Sequence, residues 1–235
     1  MAAEHGPTRP AAPRLGAATR SAAMDVFYNS WRLVPANLVW GAGLIFLILV
    51  WEAGAPLFSV LLCPLLGLPT IGLYRLAGLV ARGRAVSLSD AFEAWRRFGV
   101  RALALGGAFT LLGSMFGFNV MLGLARGDIL GWVIATTAAW GLIFTTVTAC
   151  VAWPLAADPR REDMSLRGIA RLALLLVVAF PLRLGAFTTL VAIVLVASTL
   201  GLVALLMISV AFVALLSARF VLPAADRLAP PTGSD

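Results

Sequence analysis

At 235 residues, 61% of them hydrophobic and only 12% charged, the chain departs from water-soluble composition; a soluble domain is about half apolar and a quarter charged. A fold of this size could not hide that much apolar surface from water, and lipid is the expected solvent. The net charge of +7 comes from 18 arginines, with no lysine, against 11 acids. Such a charge can attract nucleic acid, but the positions of the arginines point to a different cause and to no nucleic-acid partner.

Residues 1–23 are rich in Ala, Pro and Arg and are expected to be disordered. In "MDVFYNSWRLVPAN" (24–37), Phe27, Tyr28, Trp31 and Arg32 predict an amphipathic helix lying on the cytoplasmic membrane face. The first apolar run spans Ala36–Trp51. "AGA" at 53–55 resembles a signal-peptide cleavage site, but some 35 residues precede the run, so it reads as a span.

The second run, Pro56–Leu76, carries Pro64, Pro69, Thr70 and Gly72. Each proline removes a donor and strands the carbonyl four residues earlier, at Val60 and Leu65. Two readings follow. A packed kink would have those carbonyls satisfied by neighbours, with the Thr70 hydroxyl placed to help. A broken helix would offer them to an ion or solute. No Asp, Glu, Lys or His lies nearby at membrane depth, which favours the kink.

The segment "SLSDAFEAW" has helix-start chemistry, with Asp90 expected as the cap and Glu93 three residues on. Phe92, Trp95 and Phe98 form a stripe opposite Arg96, Arg97 and Arg101. That pattern suits a helix half sunk in the interface with its arginines near lipid phosphates. It also suits a docking helix for a cytoplasmic partner.

Further runs cover Val100–Ala125 and Ile129–Ala156, and a fused stretch from Leu172 to Leu222. That stretch would be about 75 Å long as a helix, against a hydrocarbon layer of about 30 Å, so it must fold back. Ser198–Gly201 is the expected turn, and Ser165–Val178 an approach helix ended by Pro181. Residues 223–235 are expected to form a disordered tail.

The expected fold is therefore an all-α polytopic bundle of six transmembrane helices over 24–222, arranged as three hairpins with amphipathic cytoplasmic approach helices. With both termini in the cytoplasm, one side holds Glu52, Arg126 and Asp128, and the other holds the remaining 17 arginines. Arginine in short loops is retained on the cytoplasmic side during insertion, which explains the charge. Asp25, Phe27, Leu38 and Gly41 superpose on Asp90, Phe92, Leu103 and Gly106 by a 65-residue shift, a faint repeat that recurrent use of an approach helix also explains.

Chemistry-bearing residues are sparse. Cys63 and Cys150 lie in apolar runs and read as small hydrophobes, and His5 is the sole histidine. No metal site, cofactor site or catalytic signature is expected. Thr136, Thr137, Thr145, Thr146 and Thr148 read as helix glue or, alternatively, as a polar path for a neutral solute. Gly113-x-x-x-Gly117 is a small-residue pattern expected at a packing seam.

Several segments together resemble the YesL-like family of bacterial integral membrane proteins, a domain of unknown function. They are "NLVW" (37–40), "LPTIGLYRLAGLVARG" (68–83), "VSLSDAFEAWRRF" (86–98) and "AFPLRL" (179–184). The chain departs from the family pattern in a shorter Pro-to-Thr spacing, in Ala91 where Phe is usual, and in Phe180 before Pro181 in place of Asn. The resemblance implies a non-enzymatic accessory role beside an ABC-type carbohydrate transporter in the inner membrane, with transporter subunits or a homo-oligomer as partners. A small facilitator or channel for a neutral solute is the alternative.

Overall fold

A computed structural model describes residues 15–230, which are helices joined by short connections with no strand among them. Residues 1–14 and 231–235, and the disorder expected there, lie outside the described residues. The helices are α1 (Leu15–Glu52), α2 (Pro56–Leu62), α3 (Gly67–Ala81), α4 (Leu88–Arg126), α5 (Ile129–Ala157), α6 (Leu166–Ala179), α7 (Pro181–Leu200), α8 (Leu202–Ala204) and α9 (Val210–Leu228). A 3₁₀ turn (Cys63–Leu66) joins α2 to α3, and a π turn (Leu205–Ser209) joins α8 to α9. Among the described residues, six segments are long and apolar enough to cross a membrane, consistent with an all-α multi-pass bundle.

Three boundaries differ from the sequence expectation. Leu15–Ala23 is helical where composition predicts disorder, because Ala is the best helix former and Ala18 and Ala22 are buried in the core. Residues 24–37 form no separate surface helix, since α1 runs unbroken through Pro35 to Glu52. The expected tail from Pro223 is helical to Leu228, with Asp226 drawn into ion pairs described below.

α1 and α4, at 38 and 39 residues, are each close to 60 Å long by helical rise. Both overshoot a hydrocarbon layer of about 30 Å. The excess lies at one end, where the 82–87 and 158–165 connections and the last turns of α9 also gather. We call this end the arginine face. α9 is the central helix: 67% of its apolar window is buried, against 6% for α4. It packs on α1, α3 and α5, and Phe220 stacks on Phe187 of α7 with ring centroids 5.0 Å apart.

The far end is built differently. Gly123 and Gly131 let α4 and α5 meet backbone to backbone; a Cβ on either would lie 2.5 Å from the other's carbonyl oxygen. Leu111, Phe118, Met121 and Trp140 point outward, as they must in lipid. Gly113 and Gly117, expected at a seam, face open space: a Cβ added at either would meet nothing within 4 Å.

Candidate functional site

The Pro64–Pro69 break repairs itself. Within the 3₁₀ turn the Cys63 N–H donates to the Ser59 and Val60 carbonyls, and the Gly67 N–H to those of Pro64 and Leu65. Both carbonyls stranded by the prolines are thereby paired. The Thr70 hydroxyl donates to the Leu66 carbonyl at 2.6 Å and accepts the Trp40 indole N–H at 3.1 Å. Gly72 is a packing position, since a Cβ there would lie 2.5 Å from Trp95 Nε1. Gly67 and Gly106 perform the same service where α3 and α4 cross: a Cβ on Gly67 would lie 2.5 Å from the Ala102 carbonyl oxygen, and one on Gly106 2.8 Å from that of Pro64. Pro64, Pro69, Thr70 and Gly72 therefore fix the line of one helix and offer no free carbonyl cage.

Three of the five α5 threonines bond within their own helix. Thr145, Thr146 and Thr148 each donate to their own helix, to the Gly141, Leu142 and Phe144 carbonyls. Such bonds satisfy a hydroxyl in lipid without a partner helix.

The second candidate, at the start of α4, is divided by the structure. The capping box lies one turn earlier than expected: Ser87 is the N-cap, and its N–H donates to the Asp90 carboxylate at 2.7 Å, so Asp90 is the third helical residue and Glu93 stays exposed. The aromatic stripe does not face one way. Phe92 is 45% exposed. Trp95 packs inward with its ring centroid 4.8 Å from that of Phe92, and its indole N–H finds no acceptor. Phe98 is buried beneath three guanidinium groups, those of Arg101, Arg97 and Arg75, at 5.1, 5.5 and 5.7 Å from its ring centre. Arg101 is turned into the fold and Arg97 reaches inward to Glu162, whereas Arg96 stays exposed on the helix surface beside Phe92 and Glu93.

What unites the arginine face is the connection "DPRREDMS" (158–165). Asp158, fully buried, pairs with Arg161 and accepts from Arg82 at 2.8 Å. Arg82 and Arg161 both pair in turn with Asp226, Arg161 at 2.7 Å. This closes a neutral square of two arginines and two aspartates that ties the end of α3 to the α5–α6 connection and α9. Burial on its own would pull the Arg82 guanidinium down. Asp226 and Asp158 outweigh it and hold the group above its ordinary range.

A second cluster adjoins the square. Glu162 bridges Arg75 at 2.5 Å and Arg97 at 2.6 Å. Arg101 donates to the carbonyls of Ala156, Glu162 and Met164, at 3.1, 2.8 and 2.7 Å, and so caps the end of α5. Across the bundle Arg219 of α9 grips Asp25 of α1 in a two-point pair at 2.7 and 3.0 Å. These carboxylates are committed to guanidinium groups. No group of three His, Cys, Asp or Glu among the described residues could hold a metal.

Deeper in the bundle, Asn37 is fully buried, donating to the Leu206 carbonyl at 2.6 Å and accepting the Ala211 N–H at 2.8 Å. It thereby straddles the π turn, holding backbone groups on either side of it. Ser209 adds a 2.6 Å bond to Ser198 of α7. Gly41 lets Leu206 approach, with a Cβ there lying 2.8 Å from its side chain. In the sequence Asn37 stands out only as part of a motif; one amide among apolar neighbours is the signal available. The buried ion pairs have no such signal, because Asp158 and Asp226 read as ordinary loop and tail residues.

Comparison of the chain with family models, curated proteins and solved structures returns no match.

Proposed function

We propose that this chain is a non-enzymatic accessory subunit of an ABC-type carbohydrate transporter in the bacterial inner membrane, with its arginine face and both termini in the cytoplasm. The orientation follows from charge: arginine-rich connections are retained inside during insertion. The observation that carries the docking role is the start of α4, where Phe92, Glu93 and Arg96 are exposed while Trp95 and Phe98 anchor the same helix from behind. An exposed aromatic beside an arginine, on a rigid scaffold, brings together two residue classes enriched at protein interfaces, with Glu93 at the rim. The YesL-like resemblance supplies the transporter context.

Affinity purification of the full chain in mild detergent tests the role. Transporter subunits are expected to co-purify, and Phe92→Ala with Arg96→Glu should release them while leaving helicity unchanged. Recovery of the chain alone, at full yield and in gentle detergent, overturns the proposal.

A further inference from the structure

A surface cleft of about 370 Å³ opens between α4 and the 158–165 connection. That volume lies within the roughly 300–1,000 Å³ of small-molecule sites. Arg97, Val100 and Arg101 line it from α4, and Glu162, Asp163 and Leu166 from the other side. Its opposite charges are only partly committed. Glu162 is engaged by Arg75 and Arg97. Arg97 is half exposed and, among the described residues, bonds to no other polar group, so most of its five N–H donors are unused. Arg101 gives Nη1 and Nη2 to three carbonyls and pairs directly with no carboxylate among the described residues. Asp163 is exposed and forms no hydrogen bond or ion pair among the described residues, although its charge acts on Arg101 through space. The cleft therefore sets guanidinium donors on one wall and an unclaimed carboxylate on the other.

We propose that this cleft binds the headgroup of phosphatidylethanolamine, with its phosphate against Arg97 and Arg101 and its ammonium against Asp163. Charge complementarity selects a zwitterion. Guanidinium forks match phosphate oxygens, and a primary ammonium brings N–H donors to a carboxylate that has none. A headgroup with negative charge alone would instead meet Asp163 at close range and be repelled. Depth selects a lipid over a free solute. α4 ends at Arg126, and the roughly 20 residues of one crossing, counted back from there, put the hydrocarbon boundary near Gly106. Arg101 lies about 8 Å beyond that boundary, at headgroup height. The acyl chains have a surface to follow. Val100, Leu103 and Leu111 face outward along one side of α4, and Gly107 between them leaves it open, since a Cβ there would meet nothing within 4 Å. The cleft shares no residue with the Phe92, Glu93 and Arg96 surface.

The test is native mass spectrometry of the purified full chain from micelles doped with phosphatidylethanolamine, phosphatidylglycerol or phosphatidylcholine. The parent is expected to retain phosphatidylethanolamine about tenfold better than phosphatidylcholine, whose trimethylammonium has no N–H to give Asp163. Asp163→Asn should erase that preference and raise retention of phosphatidylglycerol. Arg97→Gln should weaken retention of all three lipids. Asp163 has no bonded partner to lose, and Glu162 keeps Arg75 when Arg97 is replaced, so both variants should fold, as circular dichroism and size exclusion would establish. Equal retention of the ethanolamine and choline lipids by the parent overturns the proposal, as does an unchanged preference in folded D163N. Glycerophosphoethanolamine, the same headgroup without chains, should displace the lipid poorly. Displacement at equal concentration would make this a site for a free solute and also overturn the proposal. The measurement uses no partner protein, so its result is independent of the docking role.

Discussion

At the arginine face, side chains from α1, α3, α4, α9 and the 158–165 connection meet in buried and half-buried ion pairs, and most of α9 is enclosed by its neighbours. At the far end α4 and α5 meet through glycine backbones and turn Leu111, Phe118 and Met121 outward. The contrast follows from the two solvents. Water beyond the membrane rewards burial of apolar surface, at about 25 cal/mol per Å², and hydrates whatever charge is left over. Lipid rewards neither, so helices there hold by close approach and by hydrogen bonds that spare the backbone from hydrocarbon. The chain gathers its buried ion pairs at the arginine face, whereas α4 and α5 approach their own connecting turn held by close backbone contact.

That contrast predicts mutational effects graded by region. The largest loss is expected for Asp158→Asn. It removes one of two negative charges facing Arg82 and Arg161, at the carboxylate that is itself fully buried, and should cost about 3–5 kcal/mol, read from reversible unfolding in mixed micelles. Asn37→Leu comes next. It removes the side-chain bonds to the Leu206 carbonyl and the Ala211 N–H beside the π turn and is expected to cost about 1–3 kcal/mol by the same assay.

Glycines sharpen the comparison within one helix system. Gly67→Ala pushes a methyl against the Ala102 carbonyl oxygen and should lose about 1–3 kcal/mol. Gly113→Ala meets nothing and should be neutral or gain up to about 1 kcal/mol from helix propensity, with thermal midpoints as the readout. Equal losses at the two positions would mean the outer half is packed against something. The smallest effect is expected for Thr146→Val, whose hydroxyl serves only its own helix: within about 0.5 kcal/mol of the parent.

Much of this contrast is legible in the order of residues. Runs of apolar length predict six crossings, and the turn at Gly201 and the break at Pro181 fall where composition puts them. Pro64 and Pro69 announce a kink because proline chemistry is local. The ion-pair square is illegible for the opposite reason. Arg82, Asp158, Arg161 and Asp226 come from three chain segments up to 144 residues apart, and nothing in any one segment names its partners. The arginines carry an insertion signal strong enough to explain their number, which masks their structural use. Ser87 and Asp90 both fit the role of the α4 cap, and only the backbone geometry separates the two. Phe92, Trp95 and Phe98 share a helical spacing, yet one faces out and one lies under arginines, since burial depends on what α3 and the 158–165 connection bring to them.

The most direct test of the account is a double-mutant cycle on Arg82 and Asp226, which join the first hairpin to the last. Unfolding free energies would be measured for Arg82→Met, Asp226→Leu and the pair together. Each single change should be costly and the double should cost less than their sum, by about 0.5–3 kcal/mol, because either change alone strands a charge that the other removes. Strictly additive losses, or single variants as stable as the parent, would contradict the claim that buried charge holds the arginine face together.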